Sequence, residues 1–101
     1  LSEKERNAIS VRIELQADYL AGVWARSIQD RNLLDIGDIE EAMNAAHAVG
    51  DDTLQEQAYG YSVPDSFTHG TSEQRLRWFK RGYQYGDLQH GDTFSVSDSE
   101  L

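Results

Sequence analysis

Two carboxylates stand one helical turn apart near the beginning of the sequence. In the stretch VRIELQADYLAGVWARSI, Glu14 and Asp18 are four residues apart, so a helix would place both on one face. Two like charges at this spacing cost roughly a few tenths of a kcal/mol, which Arg12 or Arg26 nearby could offset. The pair is therefore either an ordinary solvated helix edge or a site at which a divalent cation or a distant arginine uses both acids.

A second group of candidate residues lies in the segment PDSFTHGTSEQRLRWF. This segment carries His69 just before a predicted helix and Arg75 in the first turns of that helix. Histidine is the side chain best suited to exchange a proton near neutral pH, and a long loop in a small domain is often functional. The alternative is a histidine that braces its own loop, and residue types alone favour that structural role.

Composition excludes several other kinds of site. The 101 residues include no cysteine and carry a formal net charge of −9, which excludes thiolate sites and argues against nucleic acid or an anionic membrane as the main partner. No apolar run approaches the roughly 20 residues that span a bilayer. His47 and His90 have no partner at metal-ligand spacing. Residue types and spacing alone therefore yield no complete active site.

The element that must position Glu14 and Asp18 is predicted to be a long helix. Ser2 with Glu5 forms a capping-box pattern. Residues 9–15 also alternate as in a strand, but the helical pattern continues through Ile28 whereas the alternation ends at Ala17. We predict one helix over about residues 3–30. Its apolar stripe consists of Ile9, Ile13, Ala17, Leu20, Trp24 and Ile28.

Three shorter helices are predicted to follow. Asp35 is a candidate N-cap for the helix IEEAMNAAHAV, which Gly50 would end. Asp52 with Gln55 predicts a short helix through about residue 59, and Thr71 with Gln74 predicts the last one. Its apolar face comprises Leu76, Phe79 and Tyr83.

The remaining residues are predicted to be irregular. GYSVPDSFTHG, with the single proline, is predicted to be one long ordered loop, and residues 95–101 a flexible acidic tail. The predicted fold class is all-α, with one long N-terminal helix packed with three shorter helices.

Four stretches of the sequence resemble one enzyme family. They are SVRIELQADYLAGVWA, GDIEEAMNAAHAVGDDTLQEQ, VPDSFTHGTSEQRLRWFKRGY and GDTF, and they run from about Ser10 to Phe94. In them the chain resembles the C-terminal part of the "putative neutral zinc metallopeptidases" of bacteria. The resemblance implies that residues 1–94 form a zincin-like C-terminal subdomain. It also implies that the parent protein hydrolyses peptide bonds with zinc-activated water.

The resemblance assigns metal-related roles to the two carboxylates. This family resembles the gluzincins, which bind zinc through H-E-x-x-H on one helix and a glutamate on a later helix. Glu14 matches that third zinc ligand. Asp18 matches the acid that orients a zinc-bound histidine through its other ring nitrogen.

The loop segment resembles a second pattern. Membrane peptidases that process prenylated proteins, and related heat-shock peptidases, carry a Thr/Ser-His-Pro segment with an arginine six residues after the histidine. In THGTSEQR, His69 and Arg75 have that spacing, although Gly70 stands in place of the proline. The resemblance implies that His69 hydrogen-bonds the substrate carbonyl or oxyanion and that Arg75 pairs with an active-site carboxylate such as Asp18.

The chain departs from the family pattern in two ways. It contains no H-E-x-x-H, so two zinc ligands and the general base would have to lie upstream. This chain alone is therefore expected to bind zinc weakly or not at all and to be inactive. In addition, Tyr19 and Gly91 occupy positions at which the resemblance implies a cysteine pair.

These observations predict the C-terminal portion of a zinc-dependent metallopeptidase that acts on a peptide or protein substrate. We expect this segment to contact neither nucleic acid nor a membrane, although an N-terminal membrane segment in relatives leaves an anchored parent open. Without the catalytic helix, the face around Ile13, Leu20 and Trp24 should be partly uncovered, which predicts self-association. The alternative is a non-catalytic helical interaction module. An H-E-x-x-H upstream of Leu1 would discriminate between the two.

Overall fold

The computed structural model describes residues 1–32 and 35–101 and contains, within them, four α-helices and no strand. Helix α1 spans Glu3–Asp30, α2 Ile36–Ala48, α3 Asp51–Tyr59 and α4 Ser72–Tyr85. The predicted loop between α3 and α4 contains a short 3-10 turn at Pro64–Ser66, and a second such turn covers Asp98–Glu100. The predicted all-α class and the long first helix are therefore confirmed. The predicted turn after α1 includes positions 33 and 34, which lie outside the described residues.

Side-chain caps begin three of the four described helices. Ser2 Oγ accepts the backbone N–H of Glu5 at 3.1 Å, and Glu5 Oε1 accepts the N–H of Ser2 at 3.3 Å. The same reciprocal bonds begin α4 at Thr71 and Gln74. These two predicted capping boxes are confirmed, and Asp35 caps α2 as predicted.

The predicted capping of α3 by Asp52 and Gln55 is wrong. Helix α3 begins at Asp51, directly after Gly50, and no side chain caps it. Asp52 Oδ1 instead accepts the backbone N–H of Ser72 at 2.7 Å. Gly50 allows this bond, because the two segments approach so closely that a Cβ at position 50 would overlap the Ser72 backbone nitrogen. The start of α3 is thus set by its contact with the start of α4.

Two glycines bring α1 and α4 into direct backbone contact. A Cβ on Gly22 would overlap the carbonyl oxygen of Phe79, and a Cβ on Gly82 would overlap the carbonyl oxygen of Tyr19. No side chain separates the helices at this crossing. The close approach fixes how α4 lies along α1 and, with it, the relative positions of Asp18 and Arg75.

The core fills the space between α1 and its neighbours in two clusters. Phe79 is buried, as the period of α4 predicts. The first cluster consists of Val11, Leu15, Tyr19, Phe67, Trp78 and Leu101, and the second of Ala25, Ile39 and Phe79.

The apolar stripe that predicts α1 lies on the side of the helix away from this core. Ile13 is 56% exposed, Leu20 47% and Trp24 65%. Val11 and Leu15 are buried instead, and at about 100° per residue they point to the opposite side of α1. Helix α1 therefore has two apolar faces, of which only one is covered within the described residues.

The two positions with an implied cysteine pair are neighbours in the structure. The ring of Tyr19 lies against Gly91, where a Cβ would overlap the ring. Tyr19 is fully buried, and its hydroxyl donates to Asp87 Oδ1 at 2.7 Å. Because Gly91 has no side chain, the Tyr19 ring packs directly against its backbone.

Residues 95–101, for which the sequence predicts a flexible acidic tail, lie against α1 and α4. Arg12 donates to the Val96 carbonyl at 2.9 Å and to the Asp98 carboxylate at 2.5 Å. Trp78 Nε1 donates to the carbonyl of the buried Leu101 at 2.9 Å. The segment has defined packing partners, and its mobility stays a prediction.

Candidate functional site

Arg75 on α4 holds Asp18 on α1 through two parallel hydrogen bonds. Arg75 Nε donates to Asp18 Oδ2 at 2.8 Å, and Nη2 donates to Oδ1 at 2.9 Å. Both side chains are largely buried, with 17% of Arg75 and 12% of Asp18 exposed. The hydrogen bonds to Asp18 raise the pKa of Arg75 above its ordinary value. The expected pairing of Arg75 with a carboxylate is therefore present, and the carboxylate is Asp18.

His69 lies beside Glu14, one helical turn before Asp18. The distance from His69 Nδ1 to Glu14 Oε1 is 3.6 Å, and both side chains face solvent, with 51% of His69 and 37% of Glu14 exposed. Within the described part of the chain the imidazole makes no hydrogen bond. The four candidate residues thus converge, with a buried ion pair on one side and an accessible carboxylate and imidazole on the other.

The loop that carries His69 is fastened along α1 by side chains donating to its backbone. Asn7 Nδ2 donates to the carbonyl of Asp65 at 3.1 Å. One turn later, Ser10 Oγ donates to the carbonyl of Thr68 at 2.8 Å. These bonds set the path of the loop along the helix as it approaches Glu14.

The loop that carries His69 therefore lies along one polar face of α1. Asn7, Ser10, Glu14 and Asp18 are three or four residues apart and lie on one side of the helix. Glu14 and Asp18 are predicted from the sequence, whereas Asn7 and Ser10 are not, because isolated polar residues on a helix edge are usually solvated. Their spacing with Glu14 was the only local signal that could have revealed them.

The described residues do not form a zinc site by themselves. Among them, no group of three or more His, Cys, Asp or Glu side chains could hold a metal ion. Glu14 offers an accessible carboxylate, whereas Asp18 is directed at Arg75. A catalytic zinc site commonly has three protein ligands, so Glu14 can supply at most one part of such a set.

No described helix has the length and apolar character needed to cross a bilayer.

Comparison with known proteins places these residues in a family. The family model described as "Putative neutral zinc metallopeptidase" matches residues 1–94. The chain is 57% identical over 96 residues to "Uncharacterized protein YpfJ" of Escherichia coli strain K12, an alignment that covers 95% of this chain and 33% of the relative. It is 45% identical over 98 residues to "Uncharacterized protein Rv2575" of Mycobacterium tuberculosis, covering 87% of this chain and 33% of that relative.

The chain spans about a third of the length of these curated relatives. No solved structure matches it significantly. The family match extends over nearly the whole chain and includes all four residues of the candidate site. The chain therefore belongs to the family described as putative neutral zinc metallopeptidases.

Proposed function

We propose that this chain is the C-terminal helical portion of a zinc metallopeptidase domain and that Glu14 supplies one zinc ligand. The observation that carries the proposal is the placement of Glu14. It is an accessible carboxylate on the central helix, with His69 3.6 Å away on a fastened loop. When bound, zinc would supply an activated water for the hydrolysis of a peptide bond.

Asp18 and Arg75 would build the wall behind this ligand. An ionised carboxylate has about four lone-pair sites, and Arg75 uses one on each oxygen. Asp18 therefore keeps capacity to accept the N–H of a histidine supplied from outside this chain. The guanidinium would hold Asp18 in one orientation, so that such a histidine meets a fixed acceptor.

His69 would contact the substrate. Its ring is half exposed beside Glu14, so a neutral or protonated imidazole could donate a hydrogen bond to a carbonyl oxygen near the zinc position. The peptide or protein substrate would lie along the open side of Glu14, since the other side is closed by the pair formed by Asp18 and Arg75.

The remaining part of the domain would pack against the uncovered apolar face of α1. Ile13 and Leu20 flank Glu14 in sequence, and both are about half exposed. We assign this face to a helix carrying H-E-x-x-H, because it adjoins Glu14 and because two thirds of each relative lies outside the match. The isolated chain would then expose this face and self-associate.

The proposal is tested first by sequence and then by metal content. The gene upstream of the codon for Leu1 should encode H-E-x-x-H. In a protein that carries it, Glu14→Ala should abolish zinc retention, measured by mass spectrometry of the metal, whereas His69→Ala should lower turnover and leave zinc bound. Glu73→Ala, an exposed acid on α4, is the control and should alter neither.

Two outcomes would contradict the assignment. Full activity and full zinc content in both variants would show that the site residues are wrong. A coding sequence that starts at Leu1 would favour the non-catalytic helical interaction module instead.

A further inference from the structure

We propose that Asp51 is the positioning residue that sets His69 beside Glu14. The catalytic consequence of this inference rests on the proposed function, whereas the positioning itself is a property of this chain. Asp51 is the first residue of α3 and is only 8% exposed. A buried carboxylate requires hydrogen-bond partners, and those of Asp51 belong to the loop that carries the histidine.

Asp51 makes three hydrogen bonds to two successive loop residues. Its Oδ2 accepts the backbone N–H of His69 at 2.7 Å and that of Gly70 at 2.8 Å. Its own backbone N–H donates to the Gly70 carbonyl at 2.8 Å. Hydrogen bonds to an ionised acceptor are among the stronger ones in proteins. The backbone that bears the His69 side chain is thus fixed at its nitrogen and at the following residue.

Gly70 completes the constraint on the other side of the loop. Its φ is +96°, a conformation that side-chain-bearing residues rarely adopt. A Cβ there would lie 3.2 Å from Leu15 Cδ2. The loop therefore turns at Gly70 between the core of α1 and the Asp51 carboxylate, and the direction in which His69 leaves the backbone follows from that turn.

Next to Asp51, the starts of α3 and α4 are in direct contact. Gly50 lies against the backbone of Ser72, and Ser72 Oγ donates to the carbonyl of His47. The Asp52 carboxylate accepts the N–H of Ser72 at 2.7 Å. The two neighbouring acids therefore bond to different segments. Asp52 fastens α4, and Asp51 fastens the histidine loop.

His69 depends on this backbone support because its imidazole makes no hydrogen bond within the described residues. The imidazole is 51% exposed, and its near polar neighbour, Glu14, is 3.6 Å away, beyond hydrogen-bonding distance. Packing alone does not hold such a ring in one place. A carboxylate that fixes the His69 and Gly70 amides supplies the order that the side chain lacks.

The experiment compares Asp51→Ala with Asp52→Ala in this chain by amide hydrogen exchange and by nuclear Overhauser contacts. Asp51→Ala should accelerate amide exchange at His69 and Gly70 by about tenfold or more. A factor of ten corresponds to a loss of about 1.4 kcal/mol in the free energy that protects these amides. Asp51→Ala should also abolish the contact between the His69 ring and the Glu14 side chain. Asp52→Ala, the matched control, should accelerate exchange at Ser72 and leave His69 in contact with Glu14.

Asp51→Asn keeps an oxygen acceptor and should restore part of the protection and the contact with Glu14, which a general loss of stability would not do. It also serves as the test if Asp51→Ala fails to fold. The proposal is wrong if either folded variant retains wild-type exchange at both amides, or if the contact between His69 and Glu14 persists in Asp51→Ala. Because neither measurement needs zinc or turnover, a chain that proves not to be part of a peptidase leaves this result intact.

Discussion

Arg75 and Asp18 connect α4 to α1 through a two-point ion pair whose charged atoms are 2.8 and 2.9 Å apart. The pair lies one turn from Glu14 and closes one side of the site. Its geometry matches the planar fork of a guanidinium to both oxygens of one carboxylate, which a lysine could not reproduce. One side of the candidate site is therefore held by two hydrogen bonds within this chain.

Removing Arg75 should destabilise the fold more than removing any exposed arginine. Arg75→Ala leaves Asp18 largely buried without its partner, which is expected to lower the free energy of unfolding by about 3 kcal/mol. Arg77→Ala breaks an exposed pair with Glu73 on the same helix and should cost less than about 0.5 kcal/mol. Urea unfolding measures both. Equal effects would show that the pair with Asp18 contributes no more than a surface contact.

The glycines at the helix crossing should not tolerate a methyl group. Gly22→Ala and Gly82→Ala each place a Cβ into the backbone of the opposite helix, so each should lower stability by about 2 kcal/mol or more. Gly37→Ala on α2 is the control. Its nearest neighbour is the Asp35 side chain at 3.2 Å, and alanine favours a helix by up to about 1 kcal/mol over glycine. Among the three variants, Gly37→Ala should have the highest midpoint of thermal unfolding. Any other order would contradict a close backbone crossing.

Tyr19 should make stability fall at alkaline pH. Burial, as the largest cause, and the hydrogen bond to Asp87 raise the pKa of Tyr19 from 10.0 to about 12. The folded protein keeps a phenol proton that the unfolded chain loses near pH 10, so the contribution is complete below pH 10 and is lost as the pH rises towards 12.

Ultraviolet titration of phenolate formation, together with urea unfolding between pH 9 and about 12, measures this effect. Tyr19→Phe should remove the late-ionising group and flatten the loss of stability over that interval. A titration curve and a pH dependence that are the same with and without the Tyr19 hydroxyl would contradict the assignment.

The uncovered face of α1 should make the isolated chain self-associate. In sedimentation at increasing concentration, the mass should rise above the 11.4 kDa of one chain, because Leu20 and Trp24 are 47% and 65% exposed. Trp24→Gln should shift the association towards the monomer. Tyr61→Gln changes an aromatic residue of similar exposure, 62%, that is not part of α1, and should leave the association unaltered. A strictly monomeric wild-type chain would contradict an unpartnered face.

Local sequence patterns were sufficient to predict the helices. Capping by Ser2 and Thr71 acts within one turn, and apolar periodicity along α1 extends over the whole helix, so both are visible without tertiary contacts. The predicted cap of α3 is wrong, although the predicted helix itself is present. There the acid at position 52 bonds Ser72, which is 20 residues away, instead of its own helix. A capping pattern cannot distinguish a local partner from a distant one.

The candidate site was predictable only in part, for the same reason. The spacing of Glu14 and Asp18 identified the carboxylate pair, and the loop segment before α4 identified His69 and Arg75. The family resemblance contributed the roles implied for them. Asp51 was missed because its two acceptor contacts are 18 and 19 residues away. An acid in the first turn of a helix already has a local explanation in the helix dipole.

The sequence by itself determined that α1 is a helix, since the helical period follows from the positions of its apolar residues. Only the tertiary structure decided which side is the core. Gly22 lets α4 approach one face, so Leu15 is buried there while Trp24 stays exposed on the other. Periodicity records that a face is apolar, but burial depends on which face another backbone can reach.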